Sequence, residues 1–140
     1  MAEFQYKAGL GSVGNYQVSG IPYVTGNLVI SASTQAPTVI TFPSITQRIH
    51  VHNNDATNGL RVGFSVLGVS GSSASKYWLV EPHTNIGKNN DYIELRVKTD
   101  KLFLLSNTTT DVSGVYIAAE LTGITGYSLT SEYSGSAGIG

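Results

Sequence analysis

Arg48-Ile49-His50-Val51-His52-Asn53-Asn54-Asp55-Ala56-Thr57-Asn58-Gly59-Leu60-Arg61-Val62-Gly63-Phe64-Ser65-Val66 is the stretch that decides the fold. Ile49 and Val51 alternate with Arg48, His50 and His52, while Leu60, Val62, Phe64 and Val66 alternate with Arg61, Gly63 and Ser65. A strict period of two is the pattern of strands with one buried and one wet face. The polar run from Asn53 to Gly59 is made of turn-favouring residues, so the two strands are expected to form a hairpin.

The same pattern recurs outward from this stretch. Ile93, Leu95 and Val97 alternate with Tyr92, Glu94, Arg96 and Lys98, and Val115, Ile117, Ala119 and Leu121 alternate with Tyr116, Ala118, Glu120 and Thr122. Tyr16–Val18, Leu28–Ser33, Thr38–Phe42, Lys76–Val80 and Leu102–Ser106 complete about eight or nine strands. Loops are expected over Gly68–Ser75, His83–Asp91 and Thr108–Gly114, and helical spacing of apolar residues is sustained nowhere. The fold class that follows is all-β: an antiparallel β-sandwich, jelly-roll-like, over residues 28–122. Residues 1–27 and 123–140 are Gly-, Ser- and Tyr-rich with little alternation, and are expected to be extended N- and C-terminal arms.

Composition narrows the function. Charged residues are 12% of the 140, about half the usual share, and eight Lys and Arg against nine Asp and Glu leave a net charge of -1. So weak a field does not suit a chain that must neutralise phosphates, so no nucleic-acid partner is expected. No cysteine is present, which removes disulfides, thiolate metal sites and a cysteine nucleophile. No apolar run reaches the roughly 18 residues of a membrane helix, and the start carries no basic-then-apolar leader, so neither a membrane partner nor a secretory signal is expected.

The candidate chemistry is sparse. Gly9-Leu10-Gly11-Ser12-Val13-Gly14 matches the dinucleotide fingerprint in letters but lacks the preceding strand and following helix that position a pyrophosphate. His50 and His52 leave one strand face together, and His83 from a loop would make three nitrogen donors for zinc. The positive Arg48 on that face opposes a cation, and a surface or interface face is the preferred reading. Asp91 and Glu94 fall on opposite faces by parity, and Glu94 and Glu120 are expected to pair with outward arginines such as Arg48, Arg61 or Arg96 rather than flank a cleft. No nucleophile elbow occurs. Asn107-Thr108-Thr109 is read as a Thr-rich turn rather than a glycan acceptor, and the lone Trp78 as a core residue. No enzyme activity, cofactor or metal site is expected.

The most distinctive stretch is Gly11-Ser12-Val13-Gly14-Asn15-Tyr16-Gln17-Val18-Ser19-Gly20-Ile21-Pro22-Tyr23-Val24-Thr25-Gly26, followed by Ile40-Thr41-Phe42-Pro43-Ser44-Ile45-Thr46 and an alternating strand. With the closing Gly/Ser-rich segment, it resembles small virion structural proteins of tailed phages and marine viruses, such as capsid decoration (cement) or minor capsid proteins. The resemblance implies a homotrimer on the capsid surface, with the major capsid protein as partner, made in the host cytoplasm. Tyr6, Tyr16, Ile21, Tyr23, Tyr127 and Tyr133 are the expected contact residues, since Tyr offers an apolar ring with a polar tip at interfaces. The rival expectations are a receptor- or glycan-binding module of a tail or fibre, using loops near Ser70, His83 and Asn107, and a small β-barrel enzyme or metal protein using His50, His52 and His83.

Overall fold

The computed structural model describes residues 20–71, 75–83, 90–125 and 138–139. The alternation at residues 49–51 and 60–62 makes strands, but the two strands belong to different sheets. The elements are β1 (Ile21–Ile30), β2 (Thr38–Thr41), β3 (Thr46–Asn53), β4 (Leu60–Gly63), a short helix α1 (Val66–Ser70), β5 (Tyr77–Val80), β6 (Tyr92–Leu95), β7 (Lys101–Ser106) and β8 (Val112–Leu121). They form two four-stranded sheets in the orders β1-β8-β3-β6 and β2-β7-β4-β5. Every pairing is antiparallel, so the chain is all-β with one short helix among the described residues.

The expected hairpin at 53–59 is therefore a crossover from the first sheet to the second. Its polar residues carry the chain round a corner in which Asn53, Asp55 and Gly59 are buried while Asn54, Ala56 and Thr57 stay exposed. Asn53 is fully buried and its amide donates to the carbonyl of Asn58 at 2.9 Å and to those of Val80 and Glu81 at 3.3 Å. Its own Oδ1 accepts from the backbone N–H of Asp55 at 3.0 Å. The buried Asp55 carboxylate in turn accepts from the N–H of Thr57 and of Asn58, both at 2.8 Å, and from the N–H of Ser113 at 2.9 Å. These side chains supply the partners that a ladder would supply in a hairpin, and buried backbone groups need one or the other.

β1 begins at Ile21, inside the segment expected to be an arm, and a bulge conceals it from pattern reading. Thr25 faces Ile117 and Leu28 faces Val115, so Gly26 and Asn27 together oppose Tyr116. Asn27 takes a left-handed φ of 54°, a conformation Asn tolerates better than most residues. The inward set accordingly switches from Tyr23 and Thr25 to Leu28 and Ile30. β8 carries its own extra residue at Gly114, with φ 74°, and the ladder returns to its earlier register. At the other end, Ile45 donates to the carbonyl of Ile124 at 2.9 Å and Ser65 Oγ to that of Ile139 at 2.8 Å, so parts of the expected C-terminal arm rest on the body. The expected strand at Tyr16–Val18 lies outside the described residues.

One core cluster draws Ile30, Ile49, Val51, Val115 and Ile117 from the first sheet and Leu60, Val62, Val80, Leu102 and Leu104 from the second. The far side of the second sheet is covered as well. Ser65 caps α1 through its side chain, and Val69 packs on Phe103, Leu105 and Tyr77. That helix replaces the strand expected to run on through Phe64 and Val66. β7 consequently buries Leu102 through Ser106 without a break, because both of its faces are covered.

Candidate functional site on the open face of the first sheet

The outer face of the first sheet has no helix of its own among the described residues. Strand register sets its side chains in rows: Pro22, Glu120 and Arg48; then Val24, Ala118, His50 and Glu94; then Tyr116, His52 and Tyr92. Val24 is 77% exposed, and Tyr92 and Tyr116 keep over two-fifths of their surface in solvent. Ala118 is the smallest side chain in the middle row, so the face dips there. A shallow groove of about 290 Å³ lies between Arg48, His50 and Glu120, and a depression of about 180 Å³ adjoins it between Val24, Gly26 and Tyr116. Gly26 is required at that wall, since a Cβ would fall 2.6 Å from the Tyr116 ring.

The Arg48 charge on this face is matched locally, with one carboxylate in excess. Arg48 pairs with Glu94 and lies 4.0 Å from Glu120, so the two outward carboxylates share one guanidinium, as the cross-strand reading expected. His50 stacks on Tyr92 with ring centroids 5.3 Å apart and planes 19° from parallel. The result is a neutral strip of aromatic and small apolar surface with a charged border.

At one edge of the face three potential metal donors meet. His52 projects from β3, His83 follows β5, and Asp91 immediately precedes β6. His83 Nδ1 lies 2.5 Å from Asp91 Oδ2, His52 Nδ1 lies 4.0 Å from the same oxygen, and one ligand atom of each residue lies within 4.8 Å of the others. The hydrogen bond from His83 holds the Asp91 carboxyl below its usual range against the opposing effect of burial, with a smaller contribution from His52. His50, which sequence spacing grouped with His52 and His83, faces Tyr92 instead. Parity set Asp91 on the face opposite Glu94, but the chain is not yet in β6 at that point, and the carboxylate turns instead to His83 and His52.

The other expected residues are dispersed. Ile21 is 54% exposed at the start of β1. Tyr23 turns inward and meets Phe42 edge-on at 5.2 Å, a contact within its own chain. Tyr6, Tyr16, Tyr127 and Tyr133 lie outside the described residues. Asn107 accepts from Arg61 Nε at 2.9 Å and thereby braces the second sheet. Trp78 corrects the core reading. It sits opposite Val62 on the core-facing side of β5, but β5 is the last strand of its sheet and the indole is 62% exposed at the margin.

No family model matches the chain, and no curated protein or solved structure matches it either. No helix among the described residues is long and apolar enough to cross a membrane.

Proposed function

We propose that the chain is a jelly roll that serves as a virion structural protein, a capsid decoration or minor capsid protein whose role is to bind other copies and the shell. The strand order carries this reading. β1 pairs with β8, β2 with β7, β3 with β6 and β4 with β5, the nesting of one long hairpin whose successive strand pairs alternate between the two sheets. Eight antiparallel strands arranged in this way are the architecture of many viral capsid and lectin domains. Fold alone does not assign function, and the surface adds the second support. A flat face bearing Val24, Tyr92 and Tyr116 around a locally neutralised arginine suits burial against protein, because interface cores favour aromatic rings and exclude unpaired charge. On this reading the chain is a homotrimer and catalyses nothing.

Two measurements test it. Immunogold labelling with an antibody against the chain, applied to virus particles from the source material, is expected to decorate capsids. Labelling of no particle overturns the proposal. Light scattering is expected to give three chain masses. Ala118→Arg, which raises a cation from the floor of the groove, weakens self-association by about 2 kcal/mol, roughly thirtyfold, with the fold intact. Unchanged association in that variant removes this face from the interface.

One observation favours a second reading, a receptor- or glycan-binding module of a tail or fibre. The exposed Trp78 presents the flat aromatic surface on which a sugar stacks, and lectin domains share the jelly-roll architecture. Label on tails instead of capsids, with binding on a glycan array that Trp78→Ala abolishes, selects this reading over the first.

A further inference from the structure

We propose that His52, His83 and Asp91 together bind one zinc ion, which ties both ends of the β5–β6 connection to β3. The inference rests on no part of the virion reading. Two imidazoles and one carboxylate are a donor set that zinc accepts, whereas calcium and magnesium seek all-oxygen shells. Bonds of about 2.0–2.2 Å in a tetrahedron hold neighbouring donors roughly 3.4 Å apart. The observed separations of 2.5 and 4.0 Å from Asp91 Oδ2 bracket that value. Small rotations suffice to equalise them, and the His83 side chain, 59% exposed, has room to make its own.

A divalent ion would lie between His83 Nδ1 and Asp91 Oδ2 in place of their present hydrogen bond. Arg48, the charge that sequence reading set against a cation here, is four residues back along β3, roughly 13 Å away. It is also engaged by Glu94. Three protein ligands leave the fourth position to water on the exposed side. The β5–β6 connection leaves the second sheet and enters the first, so the ion would fasten the connection at both of its ends, one beside each sheet.

The test uses the full-length chain, free of any histidine tag and stripped with a chelator, then titrated with zinc against a chromophoric competitor. One zinc per chain is expected, with magnesium and calcium failing to compete. Cobalt in the same site is expected to give the visible absorption of a low-coordinate ion. Because second-shell changes alone cost about 10–100-fold in metal affinity, His83→Ala and Asp91→Asn are expected to cost about a hundredfold or more. His50→Ala, on the same strand but outside the cluster, leaves affinity unchanged. Saturating zinc raises the unfolding midpoint of the wild type and of His50→Ala, but not of His83→Ala, because only ligands that bind the folded state stabilise it. His83 is exposed, so its variant keeps the fold, which circular dichroism checks. No uptake by the wild type, or equal affinity in the wild type and His83→Ala, overturns the proposal.

Discussion

Asp55→Ala is expected to lower the unfolding free energy by about 3–4 kcal/mol, read from urea denaturation at neutral pH. The carboxylate accepts three backbone N–H groups, from Thr57, Asn58 and Ser113, and joins the 53–59 crossover to the start of β8. Alanine leaves those donors without their partner where the residue it replaces is only 7% exposed. Asp55→Asn is expected to recover only part of the loss, because its amide nitrogen cannot accept from a second N–H. A loss below about 1 kcal/mol in Asp55→Ala would contradict this account.

The same group gives the fold an acid limit. Burial alone would raise the Asp55 carboxyl, but the N–H groups of Ser113, Thr57 and Asn58 outweigh it and hold it far below the ordinary carboxylate range. As pH falls, the unfolded chain therefore takes up the proton first, near its usual value of about 3.9. The contribution of Asp55 is complete above about pH 5 and declines steadily below it. Asp91, also lowered, acts in the same direction. Chemical denaturation from pH 7 down to pH 3 is expected to show a shallower acid decline in Asp55→Ala than in the wild type. Parallel declines would reject the assignment.

Leu104→Ala is the second large effect, a destabilisation of about 3–5 kcal/mol in a chain whose total stability is on the order of 5–15 kcal/mol. Leu104 is fully buried on β7, between Thr38 of β2 and Val62 of β4, and faces the shared core. The truncation leaves a cavity that paired neighbours on both sides cannot collapse into. Val24→Ala, by contrast, removes a side chain 77% exposed on the outer face of the single chain, and at dilutions where copies have dissociated it is expected to change stability by less than about 0.5 kcal/mol. Similar losses in the two variants would mean that the outer face of the first sheet is as buried in solution as the core.

Strand positions were legible wherever one face stayed inward for the whole strand. The runs around Ile49, Leu60, Ile93 and Ile117 read correctly for that reason. β1 did not, because its bulge at Gly26 and Asn27 moves the inward set from Tyr23 and Thr25 to Leu28 and Ile30, and two short half-patterns look like none. The polar run 53–59 was visible as a turn but not as a crossover. Alternation reports which face is inward and is silent on which sheet a strand joins. The outward residues of the candidate face, Arg48, His50, His52, Tyr92, Glu94, Tyr116 and Glu120, also followed from parity. That α1 covers one sheet while no described helix covers the other depends on tertiary packing, as does the arrival of His83 and Asp91 beside His52.

The strands at the ends of the two sheets bear on how copies can assemble. β2, β5 and β6 span four residues each, and β1 carries both Pro22 and a bulge. Short, kinked or proline-bearing margins are poor templates for a further strand from another molecule. Growth by edge-to-edge addition, the route to fibrils, is thus discouraged from all four margins of the described sheets. Among the described residues, the broad surfaces are what remains for copies to associate through, and there rotational symmetry can close the contact into a body of fixed size.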